Sequence, residues 1–223
     1  MGLNPRAVIF DMDGLLLDSE PLYRVTWQTA AVALGFPIDD VLYERFVGRG
    51  NVEAEKILRE HFGDGFPLAE FHARWSRDFA DRVSTIAPKP GAMELLAVLE
   101  KDGMRKALAT SSPRVLALRC LGDLGARFDA LAFGDEVSHS KPAPDLFLLA
   151  AQRLGIEPAD CLVLEDSEAG VRAARAAGMN VIMVPDLVPP SEEIASMATF
   201  VCNTLQEVAA ILSILSGLRR GRR

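Results

Sequence analysis

Asp11 and Asp13 stand one residue apart at the end of the apolar run Val8-Ile-Phe10, with Gly14 directly behind them. Two carboxylates so placed repel each other unless a cation, a proton or hydrogen bonds offset the repulsion. Two readings fit these residues. One is a hard-cation site, with Mg²⁺ as the ion and one carboxylate left for chemistry. The other is a solvated acidic turn, since Asp-Gly is a common turn pair. A calcium loop also begins Asp-x-Asp, but it would need an oxygen ligand at position 15 and glycine at 16. The chain has Leu15 and Leu16 there, which excludes it.

Three later segments carry residues of matching chemistry. Leu108-Ala-Thr-Ser-Ser112 puts small hydroxyls and backbone N–H groups just ahead of a predicted helix, which suits a phosphate. Ser112 on its own reads as an N-cap, with Pro113 at the first helical position. In Ser140-Lys-Pro-Ala-Pro-Asp145, Pro142 and Pro144 stiffen the backbone around Lys141, whose ammonium could neutralise a phosphate and a carboxylate together; alone it reads as a surface lysine. Leu162-Val-Leu164 delivers Glu165-Asp166-Ser167, a second carboxylate pair after an apolar run.

The elements that must bring these segments together follow from periodicity. Val8–Phe10, Arg105–Ala109, Phe128–Phe133, Cys161–Leu164 and Val181–Val184 read as strands, and Phe200–Cys202 as a weaker one. Helices are predicted over 91–102, 113–121, 143–154, 168–177 and 205–216, so strands and helices alternate from residue 91 onward. That alternation predicts an α/β fold, a parallel sheet with helices on both faces. Between the first two strands only helical patterns occur, over 20–34, 39–47, 52–61 and 68–83. A block of that length exceeds an ordinary loop and reads as an all-helical cap inserted after the first strand. Ligands of open parallel sheets bind beyond the carboxyl ends of the strands, where this insertion would emerge and could close over them. The expected organisation is a discontinuous core, 1–17 and 86–223, a cap over 18–85, and a flexible basic tail at 217–223.

With 223 residues, 49% of them hydrophobic and 25% charged, the chain has the composition of a globular protein able to bury a core. The formal net charge of −7 disfavours nucleic acid as a partner. No apolar run approaches the length of a membrane span, and Asp11 and Asp13 interrupt the only apolar N-terminal segment, so a cytoplasmic protein without a membrane partner is expected. Cys120, Cys161 and Cys202 are odd in number and far apart, which suggests neither disulfides nor zinc. His61, His72 and His139 lack metal-ligand spacing.

Asp11-Met-Asp-Gly-Leu-Leu-Leu-Asp-Ser-Glu20, Ala109-Thr-Ser-Ser112, Ser140-Lys-Pro-Ala-Pro-Asp145 and Leu164-Glu-Asp-Ser167 resemble, in order and spacing, the haloacid dehalogenase superfamily of phosphohydrolases. The match is to the group with a helical cap after strand one, which includes phosphoglycolate-phosphatase-like and β-phosphoglucomutase-like enzymes. The resemblance implies a Rossmann-like core and a Mg²⁺-dependent phosphatase acting on a small phosphorylated metabolite, as monomer or homodimer. It implies Asp11 as nucleophile forming an aspartyl-phosphate and Asp13 as general acid, then base. Thr110, the backbone N–H of Ser111 and Ser112 would hold the phosphate, with Lys141 bridging to Asp11. Mg²⁺ would be held by Asp11, the carbonyl of Asp13 and Asp166, with Glu165 assisting through water. In the cap, Arg49 is a candidate substrate ligand, with Arg45, Arg74 and Arg77 as further candidates or as a solvated helix face.

A sugar phosphomutase is the nearest alternative, although this chain has Tyr23 where the mutases carry a histidine three residues after the glutamate of the first motif. A phospho-aspartate signalling module would leave the helical insertion unexplained. A catalytically idle scaffold would have no use for the complete set of reactive residue types.

Overall fold

The computed structural model describes residues 3–47 and 51–220. The apolar run before Asp11 forms strand β1 (Ala7–Phe10), whose residues are all inaccessible to solvent. Burial on both faces is what a central parallel strand requires. The remaining strands are β2 (Arg105–Thr110), β3 (Ala130–Phe133), β4 (Cys161–Glu165), β5 (Asn180–Met183) and β6 (Phe200–Val201). They form one sheet in the order β3-β2-β1-β4-β5-β6, with every pairing parallel.

Helices cover the sheet: α5 (Ala92–Lys101), α6 (Arg114–Leu121), α7 (Asp145–Leu154), α8 (Glu168–Ala176), α9 (Glu192–Met197) and α10 (Leu205–Arg220). The alternate residues Ala7 and Ile9 of β1 join Leu146, Phe147 and Ala150 of α7 and Val171 of α8 in one apolar cluster. This is period-two alternation from the strand meeting a helical stripe. On the other face of β1, Phe10 meets the Phe128 ring edge-on at 5.6 Å, which explains why Phe128 is fixed although β3 begins only at Ala130. Helix α10 continues to Arg220, beyond its expected end at 216. Helix α9 was not read from the sequence; Ser191 caps it by accepting from Ile194 N at 3.4 Å.

The chain divides into two compact units, Met1–Asp18 with Ala87–Arg223, and Ser19–Ile86. The second is entirely helical, with α1 (Glu20–Ala33), α2 (Asp40–Glu44), α3 (Asn51–Phe62) and α4 (Leu68–Arg82). Its core is aromatic: Trp27 packs on Phe71, Phe46 and Trp75 at 5.2, 5.3 and 5.8 Å. Burying one such ring contributes about 2–3 kcal/mol, enough for a small helical unit to hold its own core. Among the described residues no helix is long and apolar enough to cross a membrane. Cys120, Cys161 and Cys202 are buried and free of disulfides.

Candidate active site

Strand register decides which side chains can meet. Phe10 lies opposite Leu108 on one side and Leu164 on the other. The next residues, Asp11, Ala109 and Glu165, therefore come level at the carboxyl end of the three central strands, and Asp11 N extends the ladder by donating to Leu164 O at 3.0 Å. Lys141 reaches this row from the segment between β3 and α7. Its Nζ donates to an Asp11 carboxylate oxygen, to Glu165 Oε1 at 2.6 Å and, more weakly, to Ala109 O at 3.4 Å. It lies 4.9 Å from the centre of the Phe147 ring. The lysine is thus a fixed buried cation joining three strands, not a surface residue.

The electrostatics follow from burial. Desolvation pushes the Asp11 carboxyl up to about 8; Lys141 opposes the shift, while Glu165 and Asp13 add to it. Asp166 is raised well above the usual carboxylate range by burial, then by Glu165 and Asp11. Burial alone would lower the Lys141 ammonium, but Asp11 and Glu165 outweigh it and hold it protonated. The edge therefore carries more buried carboxylate than cation.

Asp13 and Ser112 lie ninety-nine positions apart, yet Ser112 Oγ donates to Asp13 Oδ2 at 3.0 Å. This corrects the N-cap reading of Ser112. Helix α6 has Pro113 at its N-cap position, and the orphan N–H of Arg114 is satisfied instead by Asp135 Oδ1 at 3.0 Å. Thr110, buried at the end of β2, accepts from Ser112 N at 3.0 Å. Gly134 closes the segment from behind, donating to Ser112 O at 3.1 Å. A Cβ at Gly134 would stand 2.0 Å from Ser111 O, so only glycine fits there.

Glu165, expected beside a cation, is fully buried and engaged at both oxygens. Besides Lys141 on Oε1, its Oε2 accepts from Asp166 N, Ser167 N and Ser167 Oγ at 3.0, 3.0 and 2.9 Å. Asp166 faces Gly14. A Cβ on Gly14, whose φ is +81°, would lie 2.3 Å from Asp166 Oδ2 and 3.4 Å from Asp186 Oδ2. Glycine thus meets both a backbone and a space requirement here. Asp186, in the segment after β5, was not found from the sequence; only Pro185 and a following loop mark it locally. Among the described residues, no three His, Cys, Asp or Glu side chains are grouped to hold a metal by themselves.

Within the helical unit, Arg45 and Arg74 pair with Glu60 and Glu70 at 3.8 and 2.8 Å. Arg49 lies outside the described residues. Tyr23 stacks on Phe79 with ring centres 4.2 Å apart, and Tyr43 Oη donates to Glu20 Oε1 at 2.9 Å.

A family model described as a haloacid dehalogenase-like hydrolase matches residues 5–178. The phosphorylated carbohydrates phosphatase of Thermotoga maritima is 38% identical over 182 residues, covering 79% of this chain and 83% of that protein. The β-phosphoglucomutase of Bacillus subtilis is 33% identical over 190 residues, covering 80% and 83%. Among solved structures, CbbY from Rhodobacter sphaeroides in complex with phosphate superposes with a TM-score of 0.78 at 30% identity, covering 92% of this chain and 96% of that one. With four strand-end segments in family order on a six-stranded parallel sheet, and a family model that spans them all, this chain belongs to the haloacid dehalogenase-like hydrolases and is an enzyme of that superfamily.

Proposed function

We propose that the enzyme is a Mg²⁺-dependent phosphatase that hydrolyses a small phosphate monoester, a sugar phosphate or a phosphoglycolate-like compound, through an aspartyl-phosphate. The observation that carries this reading is the row of Asp11, Lys141 and Glu165 beside the Asp13–Ser112 pair. Asp11 attacks phosphorus while its lysine partner offsets the charge that gathers on the phosphate oxygens. Ser112 Oγ holds the Asp13 carboxyl in one orientation, from which it protonates the departing alcohol. Asp13 then accepts a proton from the water that cleaves the acyl phosphate, which releases Asp11 as a carboxylate and returns Asp13 to its acid form for the next turnover. Thr110 Oγ1 already accepts from Ser112 N, which leaves its proton to donate to a phosphate oxygen together with the backbone N–H of Ser111.

The residues suit a hard cation. Burial raises both Asp11 and Asp166, Glu165 adds to each and Asp11 adds to Asp166, so a divalent ion between them would offset negative charge that Lys141 alone does not. Asp11, Asp166 and the Asp13 carbonyl would hold it, with Glu165 one water further out. When bound, Mg²⁺ supplies positive charge to the phosphate oxygens.

The test is phosphate release from a panel of phosphometabolites with Mg²⁺ and with EDTA, comparing wild type and Asp11→Asn. Release by wild type should exceed that by the variant by at least about a thousandfold, the scale of removing a covalent nucleophile. Equal release would sink the proposal. The mutase alternative draws support from the B. subtilis relative. Against it, Tyr23 is held in a ring stack with Phe79 in place of a histidine. Interconversion of hexose phosphates with a bisphosphate primer, without free phosphate, would decide for the mutase.

A further inference from the structure

Lys89, Asp186 and Asp18 form an ion-pair chain that the reaction described above does not use. Lys89 follows the return of the chain into the core and is anchored by its N–H, which donates to Leu16 O at 2.9 Å. Its Nζ donates to Asp186 Oδ1 at 2.5 Å and to Asp18 Oδ1 at 3.3 Å. The lysine and Asp186 side chains are only 22% and 12% exposed, whereas Asp18 is 44% exposed. The Lys89–Asp186 contact is therefore the better shielded and shorter of the two. Burial alone would lower the Lys89 ammonium, but Asp186 and then Asp18 hold it above its ordinary value.

The two oxygens of Asp186 face different partners. Oδ1 is taken by Lys89, while Oδ2 lies 3.4 Å from the point where a Gly14 Cβ would stand. Asp166 Oδ2 lies 2.3 Å from that same point. Glycine at position 14 thus leaves open a space that two carboxylates, from the segments after β4 and after β5, converge on. Asp186 adds to the negative potential at Asp166 and contributes to its raised carboxyl.

We infer that Asp186 is a positioning residue for the cation site: Lys89 fixes its Oδ1, so that Oδ2 is held facing the space beside Gly14 that Asp166 also faces and strengthens cation binding there. The inference rests on the Mg²⁺ reading above and extends it to a residue beyond the four strand-end segments. Outer carboxylates that orient or polarise metal ligands change affinity about 10–100-fold when removed. The lower end is expected here, because Asp186 would act through Asp166 and space rather than as a ligand.

The experiment titrates the full-length chain with Mn²⁺, following free ion by electron paramagnetic resonance, with Mg²⁺ competition for the physiological ion. Wild type, Asp166→Asn, Asp186→Asn and Asp18→Asn are compared. Asp186→Asn should weaken ion affinity about tenfold, while turnover at saturating Mg²⁺ stays within about threefold because no reacting atom is touched. Asp18→Asn should leave affinity within about twofold, since its charge sits on the exposed side of Lys89. If Asp186→Asn does not fold, Asp186→Ser gives the same readout. Wild-type affinity in a folded Asp186 variant overturns this inference alone. Equal weakening by Asp18→Asn also overturns it, because the effect would then belong to the loop and not to the carboxylate facing Asp166. Failure of wild type to bind either ion defeats the Mg²⁺ reading and this inference together.

Discussion

Gly170→Ala should damage both stability and turnover, although alanine is the better helix former. Gly170 lies in the first turn of α8, directly under the buried Glu165 carboxylate. An added Cβ would stand 1.8 Å from Glu165 Cδ and 1.9 and 2.2 Å from its two oxygens. Real contacts at this point need about 3 Å or more, so the carboxylate must retreat by roughly 1 Å, a displacement that can cost about a hundredfold in rate when it reaches a reacting group. Retreat is not free, because Lys141, two backbone N–H groups and Ser167 Oγ all hold that carboxylate. Bonds to a charged acceptor are worth about 1.5–3 kcal/mol each, and breaking a buried ion pair costs about 3–5 kcal/mol. The helix propensity gain from glycine to alanine is at most about 1 kcal/mol.

The losses therefore win, and the net expectation is destabilisation by about 2–4 kcal/mol, with kcat reduced about a hundredfold as Lys141 follows Glu165 away from Asp11. Urea unfolding followed by circular dichroism reads the first quantity, with a midpoint lowered by about 1 M or more. Phosphate release reads the second. A variant more stable than wild type with unchanged kcat would mean that Glu165 does not hold Lys141 in place, and the reasoning would be wrong at its base.

Two further outcomes follow from the segment behind the proposed phosphate seat. Gly134→Ala would bring a Cβ to 2.0 Å from Ser111 O, a backbone atom that cannot rotate away. KM for phosphate esters should rise about tenfold or more, and inorganic phosphate should inhibit correspondingly less well; an unchanged inhibition constant would refute the idea that this turn sets the Ser111 N–H. Glu136 has its carboxyl lowered from 4.5 to about 2, first by Arg153, with burial opposing and Arg114 adding to the fall. A carboxyl lowered in the folded state stabilises above its unfolded value and loses that contribution as pH falls from about 4.5 through 2. Glu136→Gln should thus cost about 1 kcal/mol at pH 7, after allowance for solvent screening, and nothing near pH 2. Chemical denaturation at the two pH values checks this; a pH-independent difference would count against it.

The sheet was legible because burial writes itself into sequence. Val8-Ile-Phe10 and Leu162-Val-Leu164 are continuous apolar runs, as strands covered on both faces must be. The helical unit was legible from its length and its lack of a strand pattern. What escaped notice depends on contacts between distant positions. Ser112 has a local signature of an N-cap, and only the approach of Asp13 and the competing cap from Asp135 change its role. Asp186 sits in a loop whose local sequence carries no chemical signal; its meaning comes from Lys89, ninety-seven positions earlier. Helix α9 is different, since Ser191 followed by Glu192 and Glu193 is a recognisable start signal that a six-residue element left too short to stand out. Helix α10 runs through Ser216 and Gly217, where local propensity argued for a stop.

The register also explains why so few residues suffice to specify the site. Side chains alternate faces along a strand, so a slip of one residue between β1 and either neighbour would turn Asp11 away from Glu165 and bury a different face of Ile9 and Phe10. The apolar core forbids that slip: Ile9 belongs to the cluster with α7 and α8, while Phe10 meets Phe128 on the opposite face. Misplacing the two would bring costs on the scale of core truncations, about 2–5 kcal/mol per large residue. Asp11, Ala109 and Glu165 are thus held level by packing on both sides of the sheet, before any of their polar contacts is counted. Lys141 needs only to arrive at that row to find all three partners. In Asp11-x-Asp13 the second carboxylate stands beyond this row, within reach of Ser112. The one-residue spacing therefore separates the two proposed roles in space: Asp11 is held in line by a cation, and Asp13 is held by a hydroxyl one step further out, where a proton can come and go.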